Sequence, residues 1–235
     1  MSQDMIILLG AAATVGLVHT ILGPDHYVPF IALSKARGWT ARKTAVITVL
    51  CGLGHVGGSV VLGMVGIAAG ITLTSLEFVE GARGEIAAWV LVAFGLVYGT
   101  WGVVRAVRGR PHTHFHFHAD GTRHVHEHTH ADEHVHVHDE GARSATAWTL
   151  FIVFVLGPCE PLIPLLLFPA AAHGLAATAM VALVFGIVTI AAMTSVVLLS
   201  LIGMRYVPSR AVGRYSHVIA GAVITLCGVA ILFGL

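Results

Sequence analysis

Charge is what this sequence has least of. Only 11% of its 235 residues are Asp, Glu, Lys or Arg, whereas a soluble domain carries about 25%. That is too little to cover a water-facing surface, and it excludes an ordinary soluble globular domain. Cysteine is also sparse: Cys51, Cys159 and Cys227 each sit inside an apolar run, which argues against a disulfide-stapled secreted domain. No phosphate-binding glycine loop is present, so direct ATP use is not expected. No basic stripe interleaves with aromatics and the net charge is only +1, so no nucleic-acid partner is expected. The N-terminus lacks a basic stretch, and the apolar run after it reads as a retained membrane helix rather than a cleaved signal.

What the chain has is apolar length. Hydrophobic residues make up 56% of it, and a membrane helix needs about 20 such residues in succession. Six segments qualify as spans: 5–33, 44–70, 86–107, 145–172, 175–203 and 216–235. The first and fourth are long and interrupted. The expected fold is therefore an all-α membrane protein of six transmembrane helices, with helices one and four broken. Basic residues cluster in three connections: Lys35, Arg37, Arg42 and Lys43; then Arg105, Arg108, Arg110, Arg123 and Arg143; then Arg205, Arg210 and Arg214. On the opposite side Arg83 is outnumbered by Glu77, Glu80 and Glu85. Because cytoplasmic loops carry the Lys/Arg excess, both termini are expected outside and the basic loops inside, in a bacterial or archaeal inner membrane.

The two halves resemble each other. Leu22-Gly23-Pro24-Asp25-His26-Tyr27-Val28-Pro29 aligns with Leu156-Gly157-Pro158-Cys159-Glu160-Pro161-Leu162-Ile163-Pro164 if one residue is inserted. Asp25 then matches Cys159 and His26 matches Glu160. Gly95 and Gly102 match Gly221 and Gly228 with the same separation. Three spans per repeat is an odd number, so the halves enter the membrane in opposite senses, an architecture that places a transporter's substrate site between them. The chain divides into a first three-helix repeat (1–110), a His-rich loop (111–143) and a second repeat (144–235).

Ionisable residues inside the apolar runs carry the chemistry. Each costs about 2.5–3.5 kcal/mol on insertion scales, so a residue retained there usually has a function. His19, Asp25 and His26 share the first span, and Gly23-Pro24 breaks the helix between them, since proline has no N–H to donate. Imidazole and carboxylate together suit nickel, cobalt, zinc, iron and manganese. Cys159 and Glu160 lie beside the matching break, where Pro158, Pro161 and Pro164 crowd one stretch. Span two adds His55, four residues after Cys51 and on the same helix face. The candidate metal residues are therefore His19, Asp25, His26, His55, Cys159 and Glu160. Span five offers only Thr189, Thr194 and Ser195, more naturally read as helix-to-helix hydrogen-bonding groups. The loop from Pro111 to Glu140 holds 11 of the 16 histidines, a composition associated with metal binding. It reads as a cytoplasmic metal collector or sensor beside the transport site, and as a point of exchange with a cytoplasmic metal donor or acceptor. No catalytic group is apparent, and the sequence sets no oligomeric state.

The motif His19-Thr-Ile-Leu-Gly-Pro-Asp25-His26 resembles the His-x4-Asp-His signature of the nickel/cobalt transporter superfamily, with five intervening residues in place of four. The resemblance spans both halves, although only short motifs are specific, and the His-rich loop is similar to that of the efflux branch. It implies a divergent member, of the urease-accessory or nickel/cobalt efflux type, in which His19, Asp25 and His26 handle Ni2+ or Co2+, with export slightly favoured. A second resemblance, of Gly157-Pro158-Cys159-Glu160-Pro161-Leu162-Ile163-Pro164 to the Pro-Cys segment of membrane thiol–disulfide electron carriers related to cytochrome c biogenesis, implies a redox alternative. That family pairs one cysteine from each repeat, and the matching position here is Asp25. A third reading, a metal sensor that does not transport, would place the activity in the His-rich loop.

Overall fold

The computed structural model describes residues 2–108, 112–117, 123–128, 139–204 and 213–234. Its body is helical: α1 (Gln3–Leu22), a 3₁₀ turn (Pro24–His26), α2 (Val28–Arg37), α3 (Ala41–Ala69), α4 (Leu73–Arg108), α5 (Asp139–Leu156), α6 (Leu162–His173), α7 (Leu175–Gly203) and α8 (Ser216–Leu232). Apart from the bundle helices, an antiparallel hairpin in the His-rich segment pairs His112–Phe117 with Arg123–His128. Its register sets His112, His114 and His116 opposite His128, His126 and His124.

Among the described residues, four helices, α1, α3, α4 and α7, are long and apolar enough to cross a membrane. The apolar stretches Thr146–Leu156, Leu162–His173 and Ser216–Leu232 are shorter. Large apolar side chains cover the outside of the bundle, with Val97 70%, Leu199 67% and Leu226 65% exposed. Monomeric proteins in water rarely expose so extensive an apolar surface, whereas lipid tails solvate it well. The chain is compatible with an integral membrane protein whose helices contact the bilayer.

Local sequence explains the breaks. At Gly23, the N–H returns to the His19 carbonyl, Pro24 opens the 3₁₀ turn, and the His26 N–H bonds back to the Gly23 carbonyl. The expected span 5–33 is thus two helices joined by a turn that satisfies its own backbone. The span 145–172 is likewise divided, α5 ending at Leu156 and α6 beginning at Leu162. Between them Pro158 and Pro161 supply no N–H. The chain reverses between α2 and α3 within a few residues, because Gly38 takes a left-handed conformation (φ 62°) and the Thr40 hydroxyl accepts the Lys43 N–H as an N-cap.

The helix that contains the expected third span, 86–107, starts well before it. The boundary at residue 86 treated Glu77, Glu80, Arg83 and Glu85 as loop residues, yet α4 is a single helix of 36 residues starting at Leu73. Glu80 is fully buried and forms an ion pair with Arg83 one turn away. Counting charges marked this stretch as polar, but charges three apart on a helix meet and neutralise each other.

The most extensive packing is antiparallel, between α4 and α8. Gly95 and Gly99 lie against Gly221, Gly102 against the His217 backbone, and Gly228 against Ala88 and Val92. A Cβ on Gly102 would fall 2.8 Å from the His217 carbonyl carbon, so these backbones meet with no side chain between them, as small residues permit in membrane helices. Elsewhere α1 packs on α7, α2 on α8, and α3 on α5, α6 and α7. The two halves of the chain therefore interlock. At one end of the bundle Arg37 ties four helices together. Its guanidinium lies over the Tyr98 and Trp101 rings (5.2 and 5.4 Å) and donates to the Thr146 hydroxyl at 2.7 Å, while Tyr98 bonds His217 Nδ1 at 2.7 Å.

Candidate metal site

Three histidines from three elements converge inside the bundle. His19 comes from the last turn of α1, His26 from the 3₁₀ turn and His55 from the middle of α3. One nitrogen from each lies within 4.8 Å of the other two. The His26 ring stands edge-on to both neighbours, with centroids 4.6 Å from His19 and 5.0 Å from His55. His26 and His55 are buried, at 2% and 3% exposure.

Hydrogen bonding orients His26. Its Nδ1 lies 3.2 Å from Asp25 Oδ1 and 3.2 Å from the Gly23 carbonyl. Both partners are acceptors, so Nδ1 carries the proton and donates. In the neutral ring Nε2 is then a lone pair, and it is buried without a partner. The same holds for Nε2 of His55. An unsatisfied buried nitrogen is costly, and two of them facing a shared space suggest that something else completes them. A carboxylate behind a ligating imidazole is the usual arrangement at metal sites, where it fixes the tautomer and raises ligand basicity.

The geometry nearly fits a transition-metal ion. Two nitrogens bound at about 2.1 Å can be at most about 4.2 Å apart, so the cluster would close by roughly half an ångström around an ion. Of the residues singled out in the sequence, His19, His26 and His55 form the cluster. Asp25 stands behind His26. Cys159 is fully buried, with Sγ 3.9 Å from His19 Nε2. Glu160 is exposed and lines a cavity of about 630 Å3 whose walls include His19, Asp25, His26, Pro158 and Ile231. The cavity therefore borders the histidine cluster on the side of His19 and His26. Thr189 and Thr194 hydroxyls are buried without partners, and Thr189 lies against Gly16, one turn from His19.

Gly23 belongs to the site through its lack of a side chain. Its backbone is extended (φ −88°) and open to any residue. A Cβ there would nevertheless lie 2.6 Å from His26 Nδ1 and 2.8 Å from Asp25 Oδ1. Gly23→Ala is expected to push the imidazole off its carboxylate and lower Ni2+ affinity by about 10–100-fold, the range for lost outer-shell partners. Calorimetric titration of the detergent-solubilised protein measures this; unchanged affinity would mean the Asp25–His26 contact does not orient a ligand.

Two residues of this neighbourhood escaped the sequence reading. Glu80 and Arg83 of α4 reach the segment between α5 and α6. The available signal was their spacing of three within a stretch that otherwise reads as helical. No protein-family model, curated protein or solved structure matches this chain.

Proposed function

We propose that this protein is a secondary transporter that carries a divalent transition-metal ion across a membrane, with Ni2+ or Co2+ as the favoured substrate. The observation that carries the reading is the meeting of His19, His26 and His55 in a buried site, with two ring nitrogens left without partners. Imidazole suits nickel, cobalt, zinc and iron, and the neighbouring carboxylates extend the set to manganese. The resemblance of the His19–His26 motif to the nickel/cobalt transporter superfamily favours nickel or cobalt among them. Asp25 and Glu160 offset the charge of the ion as it loses water. Cys159, beside His19, is a softer ligand for one stage of the passage. Metal competes with protons for imidazole and carboxylate, so proton coupling through His26 or Glu160 belongs to this reading.

The architecture proposed is six spans in two inverted repeats, with α1–α2 and α5–α6 as the broken pair. Support comes from α4 and α8, whose repeat-related glycines Gly95 and Gly221 meet each other across an antiparallel interface. The Lys/Arg bias of the connections supports termini outside and the His-rich loop in the cytoplasm. The loop's histidine-rich composition suits it to collecting metal, which favours export. The thiol–disulfide reading requires a second thiol beside Cys159, but Cys51, Cys159 and Cys227 are all free and buried.

The test is metal flux into proteoliposomes offered nickel, cobalt, zinc, iron and manganese together, under several pH gradients. Flux of one or two metals that His26→Ala removes is expected. Absence of flux for every metal would refute the transporter reading.

A further inference from the structure

The two helix breaks are satisfied in different ways. The first closes on itself through the Gly23 and His26 N–H groups. At the second, the Gly157 N–H turns back to the Val153 and Phe154 carbonyls, but other groups are satisfied only from α4. Arg83 Nη2 donates to the Val155 carbonyl at 2.9 Å and lies 3.5 Å from the Gly157 carbonyl. Glu80 Oε2 accepts the Cys159 N–H at 3.1 Å. The two side chains are ion-paired, and Arg83 also reaches the Ser59 hydroxyl of α3. Backbone groups freed at membrane depth need partners inside the protein, and here one ion pair, its carboxylate fully buried and its guanidinium partly so, supplies both an acceptor and a forked donor.

The segment it holds is a wall of the histidine cluster. Cys159 Sγ touches His19, and a Cβ on Gly157 would lie 3.3 Å from His55 Nδ1. Gly84, next to Arg83, lets Pro158 approach, since a Cβ there would fall 2.8 Å from Pro158 Cγ. A fully buried carboxylate on a lipid-spanning helix is expensive to keep.

We propose that Glu80 and Arg83 are positioning residues: an ion pair on α4 that clasps residues 155–159 and holds Gly157 and Cys159 against His19 and His55. The fork matters as much as the charge, because a guanidinium reaches a carboxylate and carbonyls at once and an ammonium does not. Only the effect on metal rests on the transport reading; the clasp itself does not.

The test reads the clasp without metal. Detergent-solubilised protein is treated with N-ethylmaleimide, and labelling of Cys159 is followed by peptide mass spectrometry, with buried Cys51 and Cys227 as internal references. Labelling of a buried thiol tracks local opening, so Arg83→Gln is expected to speed Cys159 labelling at least about tenfold relative to the reference cysteines. Arg83→Lys is expected to fall between Arg83→Gln and native, and the exposed Glu77→Gln to match native. If Arg83→Gln opens the whole protein, all three cysteines accelerate together, and Arg83→Lys becomes the deciding variant. Native labelling at Cys159 in whichever variant remains folded overturns the proposal. A parallel Ni2+ titration should show weaker binding in Arg83→Lys. If the native protein binds no Ni2+, the transport reading fails while the labelling still decides the clasp.

Discussion

His55→Ala is expected to weaken Ni2+ binding by at least about 100-fold, beyond the roughly 10–100-fold typical of an outer-shell partner, because it deletes a ligand outright. His55 is the only member of the cluster on α3, so no residue on α1 or the 3₁₀ turn can replace its nitrogen. The effect on stability should be small. The substitution opens space for a few atoms, but it also removes a buried Nε2 that has no hydrogen-bond partner, and the two terms oppose each other. Calorimetric Ni2+ titration alongside a thermal melt separates them. His173→Ala, exposed at the end of α6, is the control and should bind as native. Retained affinity in His55→Ala would reduce the cluster to three packed side chains.

Gly221→Leu is expected to prevent assembly of the bundle. Even the first atom of a side chain at this position would run into the Gly99 backbone, with the Gly95 carbonyl at 2.7 Å. Overpacking a core usually costs about 1–3 kcal/mol because side chains and backbone shift to make room. Here the obstacle is main chain on a long helix, so the cost should meet or exceed that range. The readout is the fraction of monodisperse protein recovered from detergent and its thermal midpoint. Leu226→Ala, five residues along the same helix and 65% exposed, should leave both unchanged. A native-like melt for Gly221→Leu would show that the α4–α8 contact does not hold the fold together.

The legible parts of this protein were those that apolar composition makes conspicuous. His19, Asp25, His26 and His55 stand out because each interrupts a run of lipid-compatible residues, and Gly23-Pro24 and Gly157-Pro158 show where a helix must stop. What composition hid was pairing over distance. Glu80 and Arg83 looked like loop charges because their backbone partners, Val155 and Cys159, lie more than seventy residues further along the chain. The cluster geometry was similarly out of reach. Spacing placed His19 and His26 near one another, but nothing in the sequence states that His55 comes to the same point or that Asp25 stands behind His26. The lengths of the later helices were harder still, since a break divides the apolar run 145–172 into pieces that are individually too short to span.

The three imidazoles of the cluster lie within the first 55 residues, whereas Cys159 and the Phe154 and Phe185 rings beside them come from the second half. The cluster histidines are therefore synthesised long before their surroundings. A nascent chain that has delivered only α1 to α4 to the membrane holds three polar rings against lipid, or against whatever chaperone shields them, until α5 to α7 arrive. Separate expression of the two halves should yield a first half that is degraded alone and rescued by the second, an order of assembly imposed by where the histidines fall along the chain.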